Sequence, residues 1–181
     1  NAEAIARTQF GVEDADLVLT AAGKPALEYF DAQAAQKWQT DPEGAWSAKA
    51  AKDYMDTNLV TYNESNGNMI ELVICNNDGM AEGAVASLQQ AGYNVEGAHV
   101  VPVFGVDATD AAKALIADGA MVGTVKQDAN GMAVAISGTV KAIADGKTPV
   151  EALASLTDER LTVAGDCAGK LYVSYAPYTG E

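Results

Sequence analysis

Cysteine, histidine and positive charge are all scarce in this chain, and each scarcity removes a class of function. Two cysteines, Cys75 and Cys167, stand far apart among 181 residues. That excludes a disulfide framework and any Cys-x-x-Cys zinc site. The pair reads most simply as two reduced thiols, with Cys75 buried in a strand. A single histidine, His99, rules out multi-histidine metal chemistry and argues against a Ser-His-Asp relay. Lys and Arg number 11 against 25 Asp and Glu, a formal charge of −14. Neutralising nucleic-acid phosphates or settling on anionic lipid needs clustered Lys and Arg, so both are disfavoured as partners. No run of 18 apolar residues exists, so no segment reads as inserting into a membrane. A Gly-rich phosphate loop and a nucleophile elbow are also missing, which speaks against an enzyme.

What is present is apolar. Ala, Val, Ile, Leu, Met, the aromatics and Cys make up 49% of the chain, enough for a sizeable core and too much for disorder. The length suits one domain or two small ones. The chain opens at Asn1 without an initiator Met or signal peptide and runs at once into a helical-looking Ala4–Phe10. That start reads as a fragment or a processed product.

Apolar runs and helical patterns then alternate. Leu17–Leu19 and Ala26–Phe30 read as short strands, although helix and strand signals compete throughout Gly11–Gly44. Ala48–Tyr62 reads as a helix capped by Ser47, with Ala51, Met55, Leu59 and Tyr62 on one face. A polar turn at Asn63–Asn68 leads to Glu71–Cys75, the compact run of a buried strand. A helix over Met80–Ala91 follows, stopped by Gly92. The alternation repeats: strand Val100–Val106, helix Asp107–Asp118, strand Met121–Val125, helix Asp128–Ala144, and a closing strand Lys170–Tyr175. The last helix carries Met132, Ile136, Val140 and Ile143 on one stripe. Strands separated by helices of 10 to 15 residues mean βαβ units, hence an α/β fold with a mostly parallel sheet and flanking helices.

Ligands of open parallel sheets bind at the carboxyl ends of the strands. Three such ends carry polar residues: Asn76-Asn77-Asp78, Asp107 and Gln127-Asp128. Each is open to a plainer reading as a helix N-cap; three on one rim favour a shared site. Asn, Asp and Gln supply the donors and acceptors that sugar hydroxyls need. Trp46 and Trp38 are the available indoles for an apolar sugar face, or are simply packed. Arg7 reads either as a solvated helix residue, paired with Glu3, or as a site residue. Glu71 reads as an exposed strand start or as a cation ligand.

Taken together, Glu71–Met80, Pro102–Ala108 and Gly123–Ala129 resemble the C-terminal half of bacterial galactose/glucose-binding proteins. Ala4–Thr8 and Ala45–Ser47 fit the same alignment, and Tyr175–Gly180 resembles the tail of Gram-positive lipoprotein members. The resemblance implies a type I periplasmic-binding-protein-like fold, present as one lobe plus part of the other. Residues 1–127 would be most of the C-terminal sugar-binding lobe. Residues 128–156 would be a helix and strand that belong to the N-terminal lobe in the intact family, and 157–181 the return segment and final strand. Trp46 then matches the indole that stacks on the sugar, while Asn77, Asp107 and Arg7 match groups that hydrogen-bond its hydroxyls. Asn1, Glu3 and Gln127 stand where enterobacterial members have His, Asp and Asn. Glu71 matches the strand-borne carboxylate of a calcium site whose other ligands lie upstream. The implied function is binding a galactose- or glucose-like monosaccharide for an ABC importer, with its membrane permease as partner and no catalytic cofactor. The implied location is extracytoplasmic, as a Gram-positive cell-surface lipoprotein or in a periplasm. A sugar-sensing module of a regulator or receptor is the alternative.

Overall fold

A computed structural model describes residues 2–181. Two compact units divide the chain. The first runs to Thr124 and takes in Tyr178–Glu181; the second is Val125–Pro177. One four-stranded sheet has the order β1 (Val73–Ile74), β2 (Val103–Asp107), β3 (Gly123–Gln127), β6 (Tyr175–Tyr178), and a second sheet pairs β4 (Leu161–Val163) with β5 (Leu171–Val173).

In the first unit the helices are α1 (Ala2–Ala21), α2 (Ala48–Thr61), α3 (Asp78–Gln90) and α4 (Asp110–Ala117). The strands are β1 (Val73–Ile74) and β2 (Val103–Asp107), and β3 (Gly123–Gln127) begins here. β1 and β2 pair in parallel, Val73 against Val103 and Ile74 against Phe104, as the alternating pattern predicts. The core gathers Met55 and Leu59 of α2, Val85 and Leu88 of α3, Val101, Val103 and Met121. α3 crosses the start of α2 so closely that a Cβ on Gly83 would fall 2.0 Å from the Ala48 carbonyl oxygen. Only glycine fits there, and the apolar stripe of α2 reaches the core through that approach. Asn94, 2% exposed and at φ 49°, closes the other side. Its amide donates to the carbonyls of Val101 (2.8 Å) and Ala120 (2.9 Å) and accepts from the Val101 N–H (2.8 Å).

The amino-terminal region departs from expectation. Leu17–Leu19 is helical, the last turns of α1. Three apolar residues cannot break an otherwise uninterrupted helical run, and the helix ends only where Gly23 turns to φ 72° and Lys24 N–H reaches the Leu19 carbonyl. Ala26–Phe30 forms no strand either. The Leu27 N–H goes to the Asp16 carboxylate instead of a neighbouring strand, and Phe30 packs edge-on to Tyr62, 4.7 Å between centroids. Further on, α4 begins at Asp110 with Thr109 as its cap, three residues later than expected. Asp107 and Ala108 sit at φ 129° and 55°, outside helical geometry, so Asp107 ends β2 instead of starting α4.

The second unit holds α5 (Ala129–Ala144), α6 (Pro149–Ala154), β4 (Leu161–Val163), β5 (Leu171–Val173) and most of β6 (Tyr175–Tyr178). Asp128 caps α5, and Thr148 with Glu151 forms a reciprocal capping box on α6. β4 and β5 pair antiparallel, Thr162 opposite Tyr172. A Cβ on Gly138 of α5 would meet the Leu156 side chain at 2.7 Å, so α5 packs through its small residues. The stripe read as its apolar face is largely open: Ile136 is 66% and Val140 61% exposed. α6 and β4 were not foreseen in the sequence, because both are too short to show a period.

Candidate functional site

The site grows from the carboxyl end of β1. The chain leaves the strand at Cys75 and enters α3 through Asn76 and Asn77. Asn77 has extended backbone angles and caps α3, its Oδ1 accepting from the Met80 N–H at 2.9 Å. Its Nδ2 donates to the Trp46 carbonyl at 3.2 Å. The plain cap reading of Asn77 therefore holds, and the same side chain also ties down the loop that carries the indole. Asn76 faces the other way. Its amide donates to the Ala4 carbonyl (3.2 Å) and the Thr8 hydroxyl (2.9 Å).

Those bonds dock α1 on the strand end and place Arg7. The Arg7 guanidinium donates from Nη1 to the Asn76 carbonyl at 2.7 Å and from Nε to Glu3 at 3.2 Å. Its carbon lies 5.5 Å from the centroid of the Trp46 ring, within cation–π range. Arg7, Trp46, Asn77 and, through Arg7, Glu3 are thus one cluster in the first unit. Glu3 is exposed and Arg7 is not: their side chains are 58% and 16% accessible.

Trp46 sits at φ 57°, a conformation that a bulky side chain adopts only when its surroundings impose it. The loop before it is a turn closed by the Gly44 N–H on the Asp41 carbonyl, 3.0 Å. The Asp41 carboxylate accepts from the N–H groups of Glu43 and Ser47, both at 2.9 Å. These backbone donors, Ser47 foremost, hold its carboxyl below the usual range. Ser47 in turn caps α2.

Asp107, at the end of β2, lies beside the same strand end. The buried Asp78, next in sequence to Asn77, accepts from the Thr124 hydroxyl at 2.6 Å and the Thr109 N–H at 2.8 Å. Ala108 N–H reaches the Thr124 oxygen at 3.4 Å. Asp78 leaves room for nothing beyond glycine at 105, where a Cβ would fall 2.4 Å from its Oδ1. Four non-glycine residues have positive φ among the described residues: Trp46, Asn94, Asp107 and Ala108. Three of the four belong to this site, and such strain concentrates where function needs a fixed geometry.

Each of the other predicted residues has its own surroundings. Gln127 ends β3 and lies in the second unit, where it accepts from the Tyr175 hydroxyl at 3.5 Å. Glu71 is exposed and precedes β1, which begins only at Val73. Calcium takes six to eight oxygens, and no group of three or more His, Cys, Asp or Glu side chains that could hold a metal ion occurs among the described residues. Glu71 by itself supplies at most two of those oxygens. Asn1 lies outside the described residues. Cys75 is partly covered, and burial, with the Asp78 charge, pushes its thiol up to about 12. Trp38 is 50% exposed and lines a separate groove of about 670 Å³ with Tyr29, Phe30, Tyr54 and Tyr62; none of the predicted site residues lines it.

An indole with a guanidinium beside it, next to amide and carboxylate groups, can take a ligand with one apolar face and a rim of hydroxyls. Sequence reasoning named Arg7, Trp46, Asn77 and Asp107, and named Asn76 and Asp78 as strand-end polar residues without their holding role; it missed Asp41. The signal for Asp41 was present as Asp41-Pro42-Glu43-Gly44, a turn sequence.

The model of the periplasmic binding protein domain matches residues 7–148, which include Arg7, Trp46, Asn77, Asp107 and Gln127. The chain belongs to the periplasmic binding protein domain family. Over 108 residues, 60% of the chain, it is 38% identical to the D-galactose/methyl-galactoside binding periplasmic protein MglB of Haemophilus influenzae. Two solved structures share the fold. One is an ABC transporter solute binding protein from Clostridium phytofermentans with bound β-D-glucose, at TM-score 0.54 and 22% identity over 75% of this chain. The other is a twin-arginine translocation pathway signal protein from Burkholderia phytofirmans, at TM-score 0.51 and 21% identity, again over 75%. The chain spans 30% of the Haemophilus protein, 39% of the Clostridium protein and 36% of the Burkholderia protein.

Proposed function

We propose that this chain is the sugar-holding part of an extracytoplasmic solute-binding protein that captures a galactose- or glucose-like monosaccharide and hands it to the permease of an ABC importer. The observation that carries the reading is the Arg7–Trp46–Asn77 cluster: an indole held at positive φ, flanked by a guanidinium at 5.5 Å and fixed by an amide at 3.2 Å. A pyranose would lay its C–H face on the indole. Its hydroxyls would meet Arg7, Asn77 and Asp107 on one rim, with Glu3, paired to Arg7, as a further polar group. The family match and the name of the Haemophilus relative support the ligand class. Residues 128–156 would complete the other lobe in the full-length protein, and the location would be a periplasm or, as a lipoprotein, the surface of a Gram-positive cell.

Thermal melting of the full-length protein with D-galactose, D-glucose and mannitol tests this. A ligand at one hundred times its Kd stabilises the folded state by about 2.7 kcal/mol. A rise in Tm with one of the two hexoses, absent in Trp46→Ala, supports the proposal. No shift with any monosaccharide removes it.

A further inference from the structure

Two carboxylates are buried among the described residues, Asp41 and Asp78, at 7% and 0% exposure. Neither forms an ion pair with Lys or Arg in that set. Each accepts a backbone N–H just past a non-glycine residue at positive φ. Asp41 takes the N–H of Ser47, the residue after Trp46. Asp78 takes the N–H of Thr109, the residue after Ala108. A buried charge is retained only when its hydrogen bonds are supplied; backbone N–H groups supply them at Asp41, and the Thr109 N–H with the Thr124 hydroxyl at Asp78.

We propose that Asp41 is a positioning residue that holds Trp46 in its left-handed conformation and so aims the indole at the ligand. Three bonds converge on the segment: the carboxylate to Ser47 N–H on the far side of Trp46, the same carboxylate to Glu43 N–H, and the Asn77 amide on the Trp46 carbonyl itself. Losing the Asp41 side chain leaves the Ser47 and Glu43 N–H groups unpaired and releases Trp46 toward ordinary negative φ. The indole then swings away from Arg7. The link from Asp41 to the ligand rests on the reading of Trp46 as a sugar platform; the link from Asp41 to Trp46 does not.

The experiment labels the full-length protein with 5-fluorotryptophan and follows the ¹⁹F resonance that disappears in Trp46→Phe. In folded Asp41→Ala that resonance is expected to shift or broaden while the other tryptophan resonances stay in place. The affinity for D-galactose or D-glucose, whichever the wild type binds, is expected to fall at least tenfold. Asp41→Asn, which keeps one acceptor oxygen, should fall between the two, and it carries the test if Asp41→Ala does not fold. An unmoved Trp46 resonance overturns the proposal, as does an equal change in every tryptophan resonance, which marks a merely structural loss. A Trp46 resonance that moves without any change in sugar affinity upholds the positioning role and instead contradicts the sugar-platform reading.

Discussion

The Arg7 guanidinium bridges two elements: it donates to the Asn76 carbonyl at 2.7 Å at the end of β1, and it lies 5.5 Å from the Trp46 ring centroid. One cation on α1 thereby fixes the strand end and flanks the indole. Arg7→Met keeps an apolar stem but removes both contacts. It should destabilise the protein by about 1–2 kcal/mol in urea denaturation and weaken hexose binding at least tenfold. Arg7→Lys should restore little, since a point charge cannot reach Asn76, Glu3 and the ring face together.

Asn94 carries a different kind of weight. Replacing it with Ala deprives Val101 N–H, Val101 C=O and Ala120 C=O of their buried partner. The expected loss is about 2–4 kcal/mol, read as a lower urea midpoint. The hexose Kd of the folded fraction should stay within about twofold, because Asn94 touches none of the site residues.

The two thiols should separate cleanly. Cys167 is exposed, whereas Cys75 has a thiol pushed up to about 12. At pH 8 Cys75 therefore stays overwhelmingly in the thiol form, and thiolate is the species that alkylates. Mass spectrometry after iodoacetamide should find one label within these 181 residues in the native protein, on Cys167, and a second only after denaturation.

The sheet and the strand ends were legible because the signals there are local. Glu71–Cys75 announces a strand, although only Val73–Ile74 forms one and Ile74 stays exposed, and Asn77 announces a cap. Asp107 was named as a site residue, yet its strand end was taken for a helix start. No residue type betrays a positive φ at Asp or Ala, and the cause, the buried Asp78 31 residues away in sequence from Thr109, is a tertiary contact. Trp46 was legible as an indole near a helix cap, but its left-handed backbone was not. Leu17–Leu19 was misread because a short apolar triplet looks alike in a strand and in the last turns of a helix. The stripe on α5 was found by its period, which reports a face meant for burial; the packing through Gly138 lies on the opposite, small-residue side.

In the second unit, Arg160 holds the Asp158 carboxyl at about 2, chiefly by a direct side-chain hydrogen bond, against an ordinary 3.8. A folded value below the unfolded one gives stability that is present above about pH 4 and is lost as pH falls toward 2. Melting temperature should therefore decline over that window, and the decline should be shallower in Asp158→Asn. The site is accessible to solvent, so the effect will be smaller at high salt.

The most direct measurement of the central claim is a crystal structure of the full-length protein with D-galactose or D-glucose, whichever binds. The account predicts the pyranose against Trp46, with hydroxyls on Arg7, Asn77 and Asp107. A sugar seated instead in the groove at Trp38, or one whose ring makes no contact with Trp46, would contradict it.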